Sequence, residues 1–388
     1  MRNARVAVFV LIIATAAGCS DDEATGDSGE APLTCDAEPV VTTTPAGVDF
    51  VRTPDSCFDD IDDFPYEPKY VEIDGLRQAY FDEGPADADP VLLLHGQPSW
   101  SYLYRKMIPV LVDGGQRVIA MDHLGMGRSD KPTDITDYSY LGHIDRLERF
   151  IEALGLRHIT AFVQDWGSLI GLHVVGDNPD WFARVVVGDG ALPVVPESVG
   201  NIAPPVENPN EVIEDLAFPF GTIPPQQFPF YDDDCNLISD PEGDAGGFGA
   251  WMEYALKAAT FNPAEVLEAL TWFDIPDSAE AAYDAPYPSR IYLAGPRVFP
   301  SLINELPGAN EEAWAGLTSY EKPFLTIWAS NDPGGLGACG AQDTLIENIP
   351  GAAGQPHTRL PEASHFLQDD QGGEIARRML EFIEATPR

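Results

Sequence analysis

From residue 69 onward the apolar and polar positions change rhythm at regular intervals. Residues 69–73 and 76–81 are two strand-like segments joined at Asp74-Gly75, a pair suited to a tight turn. Residues 91–94 form a continuous apolar run ending at His95-Gly96, the pattern of a strand buried on both faces. Residues 102–111 predict a helix, and so do residues 145–154, where Leu147, Phe150, Ile151 and Leu154 share one face. Short apolar segments at 117–121, 158–163, 184–187, 323–328 and 357–360 predict further strands. Helices are predicted from 169 and over 374–385. Strands alternating with helices predict the α/β class, with a mostly parallel sheet covered on both faces. Residues 191–306 interrupt the rhythm: they begin with prolines and continue as helical segments rich in Trp, Phe and Tyr. The α/β core is therefore expected in two pieces, 49–190 and 307–388, around this insertion.

The first residues follow a different pattern. Arg2 and Arg5 precede an apolar stretch at 6–17 that is too short to span a bilayer. Ala16-Ala17-Gly18-Cys19 then places small residues directly before a cysteine. Residues 1–18 are expected to be a secretory signal peptide, similar to those of bacterial lipoproteins, with lipid attached at Cys19. Lipoproteins usually carry Leu where Ala16 stands. Residues 19–48 are acidic and rich in small side chains, so a solvated tether is expected there. Export makes sense of the cysteines: beyond Cys19, four remain, and an even number in an oxidising compartment permits two disulfides. Cys35 with Cys57, and Cys235 with Cys339, is the expected pairing among three possibilities.

Charge narrows the partners. Sixty-three acidic residues against 22 Lys and Arg give a net charge of −41, and loss of residues 1–18 removes two arginines and no acid. Such a chain repels nucleic acid and anionic membranes. The membrane is therefore expected to be met only through the lipid. An acidic, solvated surface also suits high salt. The hydrophobic fraction of 44% is ample for a large core.

The candidate chemistry begins where residues 158–163 run into Val163-Gln164-Asp165-Trp166-Gly167. In α/β-hydrolases the nucleophile sits at such a strand-to-helix turn, normally G-x-S-x-G, and its partners follow in the order acid then histidine. Here Asp165 replaces the serine. Asp332 follows a later predicted strand, and His365 follows the last one. A carboxylate nucleophile leaves an ester that water can cleave, which a serine attacking an sp³ carbon would not. His365 would then be the base and Asp332 the acid that orients it.

The chain resembles the haloalkane dehalogenases of the α/β-hydrolase superfamily, in particular the subgroup with two halide-binding tryptophans. The segments that carry the resemblance are Val51-Arg52-Thr53-Pro54-Asp55, His95-Gly96-Gln97-Pro98-Ser99-Trp100 with the run through Pro109, Gly127-Arg128-Ser129-Asp130-Lys131-Pro132, Gln164-Asp165-Trp166, and Ser364-His365-Phe366-Leu367-Gln368. It implies that 191–306 is a cap over the active site, that the substrate is a small apolar haloalkane consumed with water, and that no cofactor or metal takes part. It also implies backbone N–H groups of Gln97 and Trp166 as the oxyanion hole. The Trp166 indole and a cap tryptophan would bind halide; Trp272 is the expected second donor and Trp251 its rival. The Gln97 side chain stands where relatives carry Asn or Glu. Two departures matter. Asp189 occupies a place usually held by Asn in this subgroup and by the triad acid in another, so it competes with Asp332. Residues 196–247, which include Cys235, look longer than in relatives. A monomer is expected.

Epoxide hydrolases share the Asp–His–acid logic but need two cap tyrosines; Tyr254, Tyr283, Tyr287 and Tyr292 are available. Fluoroacetate-type relatives carry Arg where Trp166 stands. A non-catalytic lipoprotein would have no need of a complete triad.

Overall fold

The computed structural model describes residues 34–61, 63–220, 247–333 and 335–387. The expected signal peptide, Cys19, the first half of the tether (residues 19–33) and Cys235 lie outside the described residues.

Eight strands form the central sheet: β1 (Lys69–Ile73), β2 (Leu76–Glu83), β3 (Pro90–Leu94), β4 (Arg117–Met121), β5 (Ile159–Gln164), β6 (Phe182–Gly188), β7 (Phe324–Ala329) and β8 (Thr358–Leu360). Their order across the sheet is β8-β7-β6-β5-β3-β4-β2-β1. Strands β3 to β8 pair in parallel, while β2 runs antiparallel to both β1 and β4. The sheet is thus the mostly parallel one that the strand–helix alternation predicts.

The continuous apolar runs have a direct structural cause. Successive strand residues point to opposite faces, and both faces are covered. Leu92, Leu94, Ala161, Val163, Val185 and Val187 enter one core, whereas Val91, Leu93, Phe162 and Val186 enter the other. The first core packs against α2 (Tyr140–Ala153), α3 (Trp166–Asp177) and α8 (Glu311–Leu317). The second packs against α1 (Ile108–Asp113), the C-terminal helix Leu367–Ala385 and the cap. Helix α2 starts at Ser139, whose side chain accepts the Gly142 N–H.

The predicted helix over 102–111 is shorter and later than its pattern suggests. Residues Ser101–Tyr104 are a 3₁₀ turn, and α1 begins at Ile108. Pro109 is tolerated only in the first turn of a helix, which fixes where α1 can start. The expected tether also ends early: Thr42–Thr43 pair with Asp49–Phe50, and Phe50–Val51 with Lys131–Pro132. Cys35 and Cys57 form a disulfide. Cys339 is disulfide-bonded too, and the pairing expected for it, with Cys235, lies outside the described residues.

The described cap contains α4 (Gly247–Lys257), α5 (Pro263–Ala269), α6 (Asp277–Asp284) and α7 (Ala294–Val298). It is anchored to the loops beyond the carboxyl ends of the strands. Trp100 Nε1 donates to Ala282 O at 3.0 Å, and Phe366 N donates to Leu270 O at 3.2 Å. The Asp370 carboxylate accepts the backbone N–H groups of Trp272, Phe273 and Ser364. A buried ion pair between Arg105 and Asp369, closed by the Tyr283 hydroxyl, clamps α6 onto the same region.

Candidate active site

Asp165 stands between β5 and α3, at the carboxyl edge of the sheet where α/β folds place their ligands. Its backbone is at φ 49° and ψ −131°, a region that costs a non-glycine residue about 1–3 kcal/mol. The conformation lifts the carboxylate out of the helix and over the β3 loop. Gln97 N donates to Asp165 Oδ1 at 2.7 Å. Gly96 makes that approach possible, because a Cβ there would collide with the Asp165 carboxylate. The other oxygen, Oδ2, lies 3.4 Å from His365 Nε2. Both residues are nearly buried, at 7% and 8% exposure.

His365 is held from three sides. Its Nδ1 lies 2.8 Å from Asp332 Oδ2. Gln164 Nε2 donates to its carbonyl at 2.9 Å. The edge of its ring meets Phe366. Burial alone would lower the imidazole pKa, but the Asp332 charge and the hydrogen bonds to Asp165 and Asp332 hold it well above the ordinary value. Asp332 is fully buried, and Gly337 packs so closely over its carboxylate that a Cβ would clash. The structure therefore brings Asp165, His365 and Asp332 into one contact chain.

Asp189, the competing acid, is close by but turned elsewhere. Its Oδ1 accepts the Ala329 N–H at 2.8 Å. Burial first, and then the Asp332 charge, push its pKa well above the carboxylate range.

Of the expected halide donors, Trp166 is buried beside the nucleophile, with Phe299 edge-on at 5.5 Å and Tyr140 at 6.4 Å. Among the described residues its indole N–H has no hydrogen-bond partner. Gln97 Nε2 donates to Pro296 O in α7 at 2.8 Å, joining the oxyanion loop to the cap. The two cap tryptophans differ. Trp272 is half-buried, next to the exposed Phe273, with its backbone fixed by Asp370. Trp251 is 6% exposed within an aromatic cluster of Phe220, Tyr254 and Phe261, and among the described residues its indole N–H has no hydrogen-bond partner. Its helix, α4, is tied to α7 by Arg297 donating to Leu256 O.

Two of the four cap tyrosines that an epoxide hydrolase could use are engaged elsewhere, while the buried Tyr287 hydroxyl has no hydrogen-bond partner among the described residues. Tyr283 donates to Asp369 at 2.6 Å, and Tyr254 faces Thr260 O at 3.3 Å. Among the described residues no cluster of three metal-ligating side chains occurs, and no described helix is long and apolar enough to cross a membrane.

Comparison with known proteins bears on this geometry. The family model for the alpha/beta hydrolase fold matches residues 89–368. A haloalkane dehalogenase of Mycolicibacterium paratuberculosis is 39% identical over 86% of this chain and 98% of its own length. Another, of Psychrobacter cryohalolentis, is 37% identical over 87% and 99%. The chain belongs to the haloalkane dehalogenase family. It is a hydrolase acting on carbon–halide bonds. Haloalkane dehalogenase 1 of Mycobacterium tuberculosis is 40% identical over 87% of the chain and all of its own. Among solved structures, the tetrameric haloalkane dehalogenase DpaA of Paraglaciecola agarilytica superposes with a TM-score of 0.65 at 27% identity, covering 85% of this chain and 97% of its own. DbeA of Bradyrhizobium elkanii, at 22% identity and a TM-score of 0.62 over 83% of this chain and 99% of its own, shares the fold.

Sequence reasoning missed three residues that support this site. In the sequence Gln164 stands out only as part of the nucleophile motif, yet it holds the His365 carbonyl. Asp370 and Asp369 carry no motif, although they anchor the cap beside His365. Their signal was faint: two acids one helical turn beyond a candidate histidine.

Proposed function

We propose that Asp165 Oδ2 displaces halide from carbon by in-line attack, leaving an alkyl ester. The contact of His365 with both Asp165 Oδ2 and Asp332 carries this reading. Oδ1 becomes the ester carbonyl oxygen and is already engaged by the Gln97 N–H. The Trp166 N–H, first in α3 and without a carbonyl partner inside its own helix, completes the oxyanion hole.

Alkylation also prepares the second step. Asp165 is one of the groups that raise the His365 pKa. Once its charge is lost in the ester, the His365 imidazolium becomes a stronger acid and releases its proton to solvent. It then takes a proton from water, which attacks the ester carbonyl; the alcohol departs and Asp165 is restored. Asp332 stabilises the imidazolium formed in that step.

Halide is held by the Trp166 indole N–H, a donor only, with the Gln97 amide at its edge and a cap tryptophan opposite. Trp272 was the expected second donor from sequence. Burial favours Trp251, since a desolvated anion needs a dry donor and Trp272 is only half-buried. On this reading the chain is a member of the two-tryptophan subgroup.

Purified protein incubated with 1,2-dibromoethane, and separately with an aryl epoxide, tests the reading. Halide release with inert epoxide is expected; diol formation without halide release overturns it.

We further propose that the enzyme is exported and tethered through lipid on Cys19. The disulfide at Cys35–Cys57 supports an oxidising compartment. Metabolic labelling with palmitate should mark the full chain but not Cys19→Ala; equal labelling of both overturns the assignment.

A further inference from the structure

Beside the triad lies a carboxyl that the proposed reaction does not use. Asp189 follows β6, is fully buried and has φ 35°. Its backbone carbonyl accepts the Asp165 N–H at 3.1 Å. Its Oδ1 accepts the N–H of Ala329, three residues before Asp332. Its Oδ2 is sealed from solvent and, among the described residues, has no hydrogen-bond partner. Asp189 thus joins the nucleophile's turn through its main chain and the acid's loop through its side chain.

The charged groups facing Asp189 are Asp332 and His365, with Asp165 on the adjoining turn. Two buried carboxylates sharing one neighbourhood do not both ionise readily. Asp332 is the one in contact with the imidazole, and an anionic Asp189 would leave a charged oxygen without a donor in a site that water does not reach.

We propose that Asp189 is a positioning residue that works as a neutral carboxylic acid, joining the Asp165 turn to the Asp332 loop while leaving the negative charge behind His365 to Asp332 alone. The proposal rests on the Asp332–His365 pairing used above. It has a kinetic consequence. A second anion would make His365 more basic, so that it kept its proton and could not accept one from water. A neutral Asp189 leaves the imidazole free to cycle.

Asp189→Asn is isosteric and cannot ionise. The readout is the acidic limb of the ester-hydrolysis rate against pH, which follows His365. With a neutral Asp189, the limb stays within about 0.3 pH unit of wild type and the plateau rate within about threefold. If Asp189 is an anion, its loss lowers the His365 pKa and moves the limb to lower pH by about one unit or more, which overturns the proposal. Asp189→Leu removes the acceptor for Ala329 N–H; it should slow hydrolysis by about tenfold or more without moving the limb. A direct measurement needs no variant. Carboxyl-labelled aspartate in the wild-type enzyme should show a buried, protonated resonance at neutral pH by ¹³C NMR; finding every aspartate ionised overturns the proposal. That spectrum is independent of whether Asp165 is alkylated, so failure of the nucleophile assignment and failure of this one are told apart.

Discussion

Asp332→Asn keeps the shape of the side chain and removes its charge. In the native site this carboxylate is fully buried and lies 2.8 Å from His365 Nδ1. Charge centres about 4 Å apart at an effective dielectric of about 20 attract by about 4 kcal/mol. Only the imidazolium feels that attraction, so the loss falls on the step in which His365 takes a proton from water. About 4 kcal/mol corresponds to roughly a 10³-fold slower hydrolysis. Attack by Asp165 requires no base, and the Gln97 N–H that fixes Asp165 Oδ1 is untouched. Alkylation should therefore stay within about tenfold of wild type, the cost of a slightly freer imidazole. Rapid quench with excess bromoalkane separates the steps. A burst of one bromide per enzyme is expected, followed by turnover slowed roughly 10³-fold. Breaking a buried pair by removing one partner also costs about 3–5 kcal/mol of stability, so the assay is run below a separately measured melting temperature. The reasoning fails if the burst disappears and the first turnover slows as much as the rest.

Other consequences follow from the same geometry. Trp251→Phe should weaken halide binding by about tenfold, read from quenching of Trp166 fluorescence, whereas Trp272→Phe should change it by less than about twofold; the reverse ranking restores Trp272 as the second donor. Gly96→Ala drives a methyl into the Asp165 carboxylate, and kcat/KM should fall by about 10²-fold or more with an unchanged circular dichroism spectrum. The raised His365 pKa makes its charged form a stabilising feature: that contribution is complete below about pH 6.5, the unfolded-state value, and is lost as pH rises through the higher folded-state pKa. Thermal melts should therefore show an alkaline decline in wild type that is flattened in His365→Gln; parallel curves for the two would be inconsistent with a charged His365.

The strands and the nucleophile turn were legible because their causes are local. Continuous apolar runs such as 91–94 arise from burial on both faces, and a residue at the end of such a run must sit at the sheet edge. The start of α1 was misplaced because apolar spacing outweighed Pro109, whose missing N–H sets the helix start. Whether Asp189 or Asp332 meets His365 depends on which loop turns inward. Both follow strands, and only the packing of Gly337 over one and the Ala329 N–H on the other separate them. The cap was the least legible part. Its helices are positioned by Asp369, Asp370 and Arg105, residues roughly 80 to 260 positions away along the chain from some of their partners, and such contacts leave no local spacing pattern.

The central claim is that carbon is transferred to the Asp165 carboxylate. Removing the base isolates that event: His365→Gln should alkylate and then stall. After incubation with a bromoalkane, the intact variant should gain the mass of one alkyl group, and peptide mass spectrometry should place it on Asp165. A label on any other residue, or an unlabelled variant beside an active wild type, would contradict the account.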